Sequence, residues 1–180
     1  LALLSTVFSE HASFGFTGIY EQFESIFVLL GYCLIVYYAY LFIKTEADIT
    51  YVMKFFLYCA IILGVLGVLQ TTGHDFFSSD MGLKTILPRR LWEMSSEFEF
   101  KFGKYCSYLS FYNPNYVGVY VAMTAPIFAC ICLMVKDKKI KILSLLAVIG
   151  LLISLYGSKS KSGMIGILVA VILCIVFLRK

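Results

Sequence analysis

The segment Gly157–Gly163 reads GSKSKSG and combines residue types that bind anions. Lys159 and Lys161 supply positive charge, and the intervening Ser160 and its serine neighbours supply hydroxyl donors. A glycine at each end lets the backbone approach a ligand closely, because glycine has no Cβ atom. A phosphate or pyrophosphate headgroup suits such a pocket, since its oxygens accept charge-assisted hydrogen bonds.

A second polar element, Asn113-Pro114-Asn115, immediately precedes an apolar run. Proline fixes its own φ and favours an extended Asn113, so the tripeptide is preset as a turn. Asn115 is expected to cap the helix that follows. A ligand role for the two asparagines is the alternative interpretation.

The elements that must position these residues are apolar helices. Hydrophobic residues make up 61% of the chain, charged residues only 14%, and the mean hydropathy is +0.89, which excludes an ordinary soluble domain. The chain is therefore expected to be an all-α, polytopic transmembrane helical bundle. About five spans are predicted: Ile26–Ile43, Tyr51–Leu69, Tyr116–Val135, Ile142–Tyr156 and Met164–Leu178.

Orientation is predicted from the basic residues of the connectors. Lys136–Lys141 reads KDKKIK, with four lysines in six residues, and is the strongest cytoplasmic signal. Alternation then divides the chain into an outer-face segment (1–25), a transmembrane hairpin (26–69), an extracytoplasmic aromatic-rich loop (70–115) and three further spans (116–180). The same count places the SKSKSG turn on the outer face.

Lys159 and Lys161 contradict this rule, because lysines are expected inside. One explanation is that they snorkel to the outer headgroups, and the other is that they bind an anionic ligand. The last two predicted spans have apolar cores of only about fifteen residues, short of the roughly twenty that a bilayer needs. Extending both spans through flanking Lys and Ser residues restores the length and would partly bury the two lysines.

The loop 70–115 carries many aromatic residues and nearly balanced charges, as expected of a segment on the membrane surface. Pro88 could begin a short interfacial helix, whereas the alternation in Glu97–Phe102 is also typical of a strand. His74 and Asp75 are adjacent and point in different directions at a helix end, so we do not predict an acid/base pair.

The remaining composition points to a membrane protein without a metal or cofactor. Five cysteines lie within predicted spans as small apolar residues, and Cys106 alone lies in a loop. The net charge of +4 is modest, and no nucleic-acid partner is expected. Because the chain starts at Leu1 inside an apolar run and stops directly after a span, we expect a piece of a larger polytopic protein.

Three stretches resemble motifs of the O-antigen ligase superfamily, in order and at plausible spacing. The first, LALLSTVFSEHASFGFTGIYEQFES, resembles its S-x-x-x-S … G-x-Y-x-R-x-E-G pattern at Ser5, Ser9, Gly18, Tyr20 and Glu24. The second, SYLSFYNPNYVGVYVAMTAPI, resembles its N-P-N-x-x-G-x-Y … P signature at Asn113, Pro114, Asn115, Gly118, Tyr120 and Pro126. The third, SLYGSKSKSG, resembles its S-x-S-R-x-G turn at Ser158, Ser160 and Gly163.

Several positions depart from these patterns. Gln22 and Ser25 replace an arginine and a glycine of the first motif, and Lys161 replaces the arginine of the third. Lysine keeps the charge of arginine but loses its bidentate fork. The family's arginine shortly before N-P-N is missing, and Lys104 is the nearest cation.

The resemblance implies a GT-C-like, metal-independent glycosyltransferase of the bacterial cytoplasmic (inner) membrane. Such a protein transfers or polymerises glycan from an undecaprenyl-diphosphate carrier to a glycan acceptor on the outer face. The expected binding residues for the diphosphate or glycan are Lys159, Ser160, Lys161, Lys104, Asn113 and Asn115. The resemblance places the catalytic histidine in a later, large outer loop, so no catalytic residue is assigned here.

Two other classes remain open: a polytopic transporter or flippase for a similar amphiphile, and a non-catalytic subunit of cell-envelope polymer export. A transporter is expected to carry ionisable residues in the middle of its spans. Lys54 is the only one near a predicted span, and it lies close to the predicted cytoplasmic end. This pattern favours the enzyme class.

Overall fold

A computed structural model describes residues 2–18, 25–97, 102–111 and 113–178. Within these ranges every regular element is a helix. The α-helices are α1 (Ala2–Val7), α2 (Ala12–Thr17), α3 (Ile26–Phe42), α4 (Glu46–Thr71), α5 (Asp80–Ile86), α6 (Pro114–Met134), α7 (Lys138–Ser158) and α8 (Lys161–Leu178), and a 3-10 helix covers Arg89–Glu97.

Three of these helices, α4, α6 and α7, are long and apolar enough to cross a membrane. Their lengths are 26, 21 and 21 residues. The described parts of the other two predicted spans are shorter apolar helices, Ile26–Phe42 and Lys161–Val176. The all-α prediction is therefore confirmed and the chain is a membrane protein, while the count of five spans and the GT-C-like architecture stay predictions.

The chain divides into two compact units, Leu1–Met53 and Lys54–Lys180. In the first unit, the short helices α1 and α2 contact each other and α3. In the second unit, α6 packs against both α7 and α8. The described core of the second unit consists mainly of aliphatic residues together with one phenylalanine: Leu57, Ala60, Val117, Val121, Ala125, Phe128, Ala147, Leu151 and Leu155.

Small and polar residues bring α4 and α7 close together in this core. A Cβ atom added to Gly64 would lie 3.3 Å from the Cα atom of Gly150, so the two backbones are in contact. Ser154 is fully buried at the same interface, whereas Ile62 on α4 is 67% exposed. Small residues inside and large apolar residues outside are the arrangement that a lipid environment favours.

The helix boundaries follow from local capping. Pro114 opens α6, and the side chain of Asn113 accepts a hydrogen bond from the N–H of Asn115 over 2.9 Å. The cap is therefore Asn113, and the expectation that Asn115 caps the helix is wrong, because proline is favoured at the first helical position and the cap must precede it. Asp137 caps α7 in the same way through the N–H of Lys139.

The loop 70–115 is partly helical in its described residues. The interfacial-helix prediction after Pro88 is confirmed as a helix, of 3-10 type, whose first hydrogen bond joins Leu91 N–H to the Pro88 carbonyl over 2.8 Å. Its contact with a membrane stays a prediction. The alternative strand falls mainly on residues 98–101, outside the described ranges.

Candidate anion-binding site

The predicted seven-residue turn is a much tighter connection. Helix α7 continues through Ser158 and α8 begins at Lys161, so only Lys159 and Ser160 lie between them. Lys159 adopts the left-handed conformation (φ 55°, ψ 21°), which ends α7 and reverses the chain. This geometry defines the lysine corner (residues 157–163).

The helices on either side extend through the Lys and Ser residues, as expected from the short apolar cores. Helix α7 is 21 residues long and α8 is 18. Protein packing does not bury the lysines, since both Lys159 and Lys161 are exposed, and their partial burial at the membrane interface stays a prediction. Their side chains leave the bundle at its end, where the packed helices no longer surround them.

Ser158 and Ser160 of the corner are buried at the ends of α7 and α8, whereas Ser162 is exposed. Ser160 is 1% exposed, and its hydroxyl accepts a hydrogen bond from the N–H of Gly163 over 3.3 Å in the first turn of α8. Ser158 is 5% exposed and donates to the carbonyl of Leu155 over 2.8 Å. These bonds hold the shape of the corner and leave the cationic side chains to face outward.

Lys159 and Lys161 line one cavity of about 420 Å³, which we call the lysine cavity. Its other walls include Thr71, Tyr105 and Met164. No carboxylate among the described residues forms an ion pair with either lysine. As far as the structure describes the chain, the cavity thus combines two positive charges that lack an ion-pair partner with a wall that includes Met164 and Tyr105.

An aromatic loop (residues 102–111) is fastened beside the lysine corner by Gln70, a residue that sequence reasoning did not select. Gln70 is 1% exposed at the end of α4. Its carbonyl oxygen accepts from the N–H groups of Leu109 (2.7 Å) and Tyr108 (3.1 Å), and its amide donates to the Leu109 carbonyl (3.0 Å). The Gln70 side chain therefore supplies hydrogen-bond partners for this buried backbone.

The aromatic loop is also bonded directly to the corner. The N–H of Ser107 donates to the carbonyl of Gly157 at the end of α7 over 3.2 Å. Thr71 packs against the same glycine, because a Cβ atom added to Gly157 would lie 3.0 Å from the Cβ atom of Thr71. The ends of α4 and α7 and the loop therefore form one continuous structure.

Asp75 completes this network and has a structural role. Its carboxylate accepts hydrogen bonds from the Tyr108 hydroxyl (2.5 Å), the Gln70 amide (3.1 Å) and the Phe77 N–H (3.1 Å). Burial, followed by the hydrogen bond and the negative charge of Asp75, raises the pKa of Tyr108 above its ordinary value. The Tyr108 hydroxyl therefore stays protonated and donates to Asp75.

A second cavity of about 430 Å³, the polar cavity, is also lined by Tyr105. Tyr105 lines both cavities. The polar cavity is also lined by Asp75, Phe102, Lys104, Cys106 and Tyr108. Lys104 thus lines a different cavity from Lys159 and Lys161, although Tyr105 is common to both.

The pKa of Cys106 shows that the two cavities lie close together, because it is affected by Lys159. Burial raises the pKa of its thiol, while the positive charge of Lys159 acts in the opposite direction. The thiol lines the polar cavity, and Lys159 lines the lysine cavity. A charge in one cavity therefore acts on a side chain in the other.

The Asn-Pro-Asn element approaches the lysine corner through a glycine. A Cβ atom added to Gly118 would meet the hydroxyl of Ser160 and would lie 3.0 Å from the Cα atom of Gly163. The first turns of α6 therefore touch the corner directly. Asn113 and Asn115 themselves line neither cavity, and their hydrogen bond to each other shapes the start of α6.

Three non-glycine residues of the described chain have a left-handed backbone, and all three belong to this region. They are Tyr105 (φ 71°), Leu109 (φ 53°) and Lys159 (φ 55°). This conformation is unfavourable for L-residues and persists where the surroundings impose it. Such residues cluster at binding sites, which supports the choice of this region as the functional one.

Comparison with known protein families, curated proteins and solved structures gives no match for this chain. The first motif of the resemblance lies in the first unit, where Ser5, Ser9 and Gly18 are described and Tyr20 and Glu24 fall outside the described residues. The other two motifs lie in the second unit and meet at Gly118 and Ser160.

Proposed function

We propose that the lysine cavity binds the diphosphate of a lipid-linked glycan, and that the protein is a glycosyltransferase of the O-antigen ligase type. The observation that carries the proposal is the pair of exposed lysines, Lys159 and Lys161, which line one cavity and have no carboxylate partner among the described residues. The proposed setting is the outer face of a bacterial cytoplasmic membrane.

The walls of the cavity suit an amphiphile better than a free anion. Met164 and Tyr156 line it beside the lysines, and α8 continues from there as an apolar helix. An anionic headgroup can pair with the lysines while the attached hydrocarbon lies along the apolar surface. A carrier lipid diphosphate has this combination of groups.

The lysines would act on the leaving group of the transfer reaction. The acceptor oxygen attacks the anomeric carbon, the bond from that carbon to the diphosphate oxygen breaks, and the electron pair leaves with the diphosphate. Lys159 and Lys161 would stabilise the charge that develops there. The proton of the acceptor hydroxyl passes to a base, which the resemblance places in a later outer loop.

Binding of undecaprenyl diphosphate to the protein in lipid nanodiscs tests the proposal. Lys159→Ala and Lys161→Ala should each weaken binding about tenfold, because a charge-assisted hydrogen bond contributes roughly 1.5–3 kcal/mol. Lys139→Ala is the matched control, since Lys139 is also exposed but lies in the first turn of α7, at its opposite end. Binding that survives both corner substitutions, or that falls equally with the control, would return the lysines to a snorkelling role.

Glycan transfer separates the enzyme from a transporter or a non-catalytic subunit. In cells that produce the protein, Lys161→Ala should lower transfer of lipid-linked glycan to its acceptor without lowering the amount of protein in the membrane. Glycan transfer at the original rate in Lys161→Ala would contradict the role of Lys161. Failure of the purified unsubstituted protein to transfer glycan from the carrier to an acceptor would contradict the enzyme assignment.

A further inference from the structure

We propose that the polar cavity binds the sugar next to the diphosphate, and that this sugar is uncharged. The inference rests on the proposed function of the lysine cavity. It starts from Tyr105, which lines both cavities. A ligand whose charged group lies in the lysine cavity can place its next chemical group in the polar cavity by passing this one ring.

The walls of the polar cavity have the chemistry of a sugar site. Phe102 and Tyr108 lie with ring centroids 5.6 Å apart, and Tyr105 adds a third ring. A pyranose presents C–H groups to such surfaces and hydroxyls to polar ones. The volume of about 430 Å³ lies within the roughly 300–1,000 Å³ of small-molecule sites.

Polar groups for the hydroxyls are supplied by Asp75 and Lys104. Asp75 Oδ2 accepts one hydrogen bond from Tyr108, and a carboxylate oxygen can accept a second. The ammonium of Lys104 lies 5.7 Å from the centroid of the Tyr105 ring and can donate up to three hydrogen bonds. Acceptor and donor therefore line the same cavity.

Charge distinguishes the two cavities. The lysine cavity has two cations, whereas the polar cavity has Asp75 opposing Lys104. A second phosphate or a hexuronic acid in the polar cavity would be repelled by the Asp75 carboxylate as well as attracted by Lys104, so this cavity gives an anion little net charge preference. A neutral sugar meets no repulsion from Asp75, and its hydroxyls can pair with both charged side chains.

Tyr105, which lines both cavities, packs against the backbone of Gly73. Gly73 has φ +85°, and a Cβ atom there would lie 2.7 Å from Cε1 of Tyr105, so the ring packs directly on this glycine. Tyr105 itself has a left-handed backbone. Tyr105 is 56% exposed, and the face of its ring that packs on Gly73 meets a position where any Cβ atom would be both strained and too close to the ring.

The experiment compares three lipids binding to the protein in nanodiscs: undecaprenyl diphosphate, and the same lipid bearing N-acetylglucosamine or glucose. At least one sugar-bearing lipid should bind about tenfold more tightly than the bare lipid. Phe102→Ala should remove most of this gain and change the affinity for the bare lipid less than twofold, because Phe102 lines the polar cavity and is absent from the walls of the lysine cavity. Phe102→Tyr, which keeps the ring, should retain the gain.

A second experiment leaves all the residues that line the polar cavity unchanged. In a variant whose only cysteine is Cys106, the sugar-bearing lipid should slow alkylation of the thiol at least fivefold relative to the bare lipid, since Cys106 lines the polar cavity. Equal alkylation with both lipids would overturn the proposal even if the Phe102 variants fail to fold.

The outcomes separate the two proposals. If the bare lipid binds and neither sugar adds affinity, or if Phe102→Ala weakens all three lipids equally, the sugar site is wrong and the diphosphate site stands. If the protein binds none of the lipids, the diphosphate site fails and the sugar site fails with it.

Discussion

The two ends of α7 both carry exposed lysines, yet their surroundings differ. At the first end, Lys138, Lys139 and Lys141 lie in the opening turn of the helix, which Asp137 caps. At the other end, Lys159 has a left-handed backbone, lines a cavity and lies beside a loop that is bonded to α7. The predicted membrane orientation would account for the lysines at the first end, whereas Lys159 and Lys161 line a cavity beside a hydrogen-bonded loop.

The helix dipole adds a further difference between the lysines at the two ends of α7. Lysines in the first turn of α7 lie near the positive end of its dipole, which is unfavourable. Their clustering there therefore has another cause, and the positive-inside rule supplies one. Lys159 at the carboxyl end of α7 is favourably placed, but Lys161 in the first turn of α8 is not. An anion at the corner would remove that cost.

The largest expected effect is an all-or-none difference in accessibility between the two ends. With Cys106 as the only cysteine, a membrane-impermeant maleimide applied to intact cells should modify the protein. The burial that raises the pKa of Cys106 keeps its thiolate fraction low, so the rate should increase as the pH rises from 7 to 9. A cysteine introduced as Lys139→Cys should react only after the cells are opened. If Lys139→Cys reacted in intact cells and Cys106 reacted only in opened cells, the lysine corner would lie in the cytoplasm. The proposed difference between the two ends of α7 would then be wrong.

Gln70→Ala should produce the largest loss of stability. It removes the Gln70 acceptor of the Tyr108 and Leu109 N–H groups and the Gln70 donor to the Leu109 carbonyl, at about 1–3 kcal/mol for each lost bond before relaxation. We expect a net cost of about 3 kcal/mol for the docked aromatic loop, measured as a loss of hydrogen-exchange protection at these amides. Thr72→Ala is the control, because its exposed hydroxyl bonds only to carbonyls of its own helix and to the ring of His74. Unchanged protection in Gln70→Ala would show that the loop is held by other contacts.

Gly118→Ala should have an intermediate effect confined to the corner. The new methyl group would meet the hydroxyl of Ser160, and overpacking of this kind costs roughly 1–3 kcal/mol. Gly31→Ala is the matched control, since a Cβ atom at Gly31 meets nothing within 4 Å and alanine favours the helix. In the same bilayer, Gly118→Ala should lower the free energy of unfolding and Gly31→Ala should raise it. Equal effects would mean that the contact of Gly118 with the corner contributes nothing to stability.

Hydropathy predicts the apolar helices because long apolar runs leave the backbone no other way to satisfy its hydrogen bonds in lipid. Predicted spans and observed helices agree at α3, α4, α6, α7 and α8 to within a few residues. A tight turn at the corner and a capped start of α6 were predicted, but the two-residue length of the turn and the identity of the cap were not. The choice between Asn113 and Asn115 and the conformation of Lys159 each depend on a single residue.

The binding region was predicted only in part. The two lysines come together in one cavity, because i and i+2 positions around a tight reversal lie side by side. Gln70 was missed, since a single glutamine at the end of an apolar run gives no periodic signal and its partners lie 38 and 39 residues away. The sequence did contain one indication of this role. Gln70 is a polar side chain at the end of a long apolar helix, where it can form hydrogen bonds with buried backbone groups.

Lys159 is the first of the two residues that connect α7 and α8, and Lys161 is the first residue of α8. Lys159 ends one helix and Lys161 starts the other, so the gap between their ammonium groups varies with the angle at which the helices diverge. A doubly charged ion bridging that gap would brace the hairpin, and by linkage a stiffer hairpin would hold the ion more tightly. Substitutions far down either helix could then tune headgroup affinity without touching the headgroup.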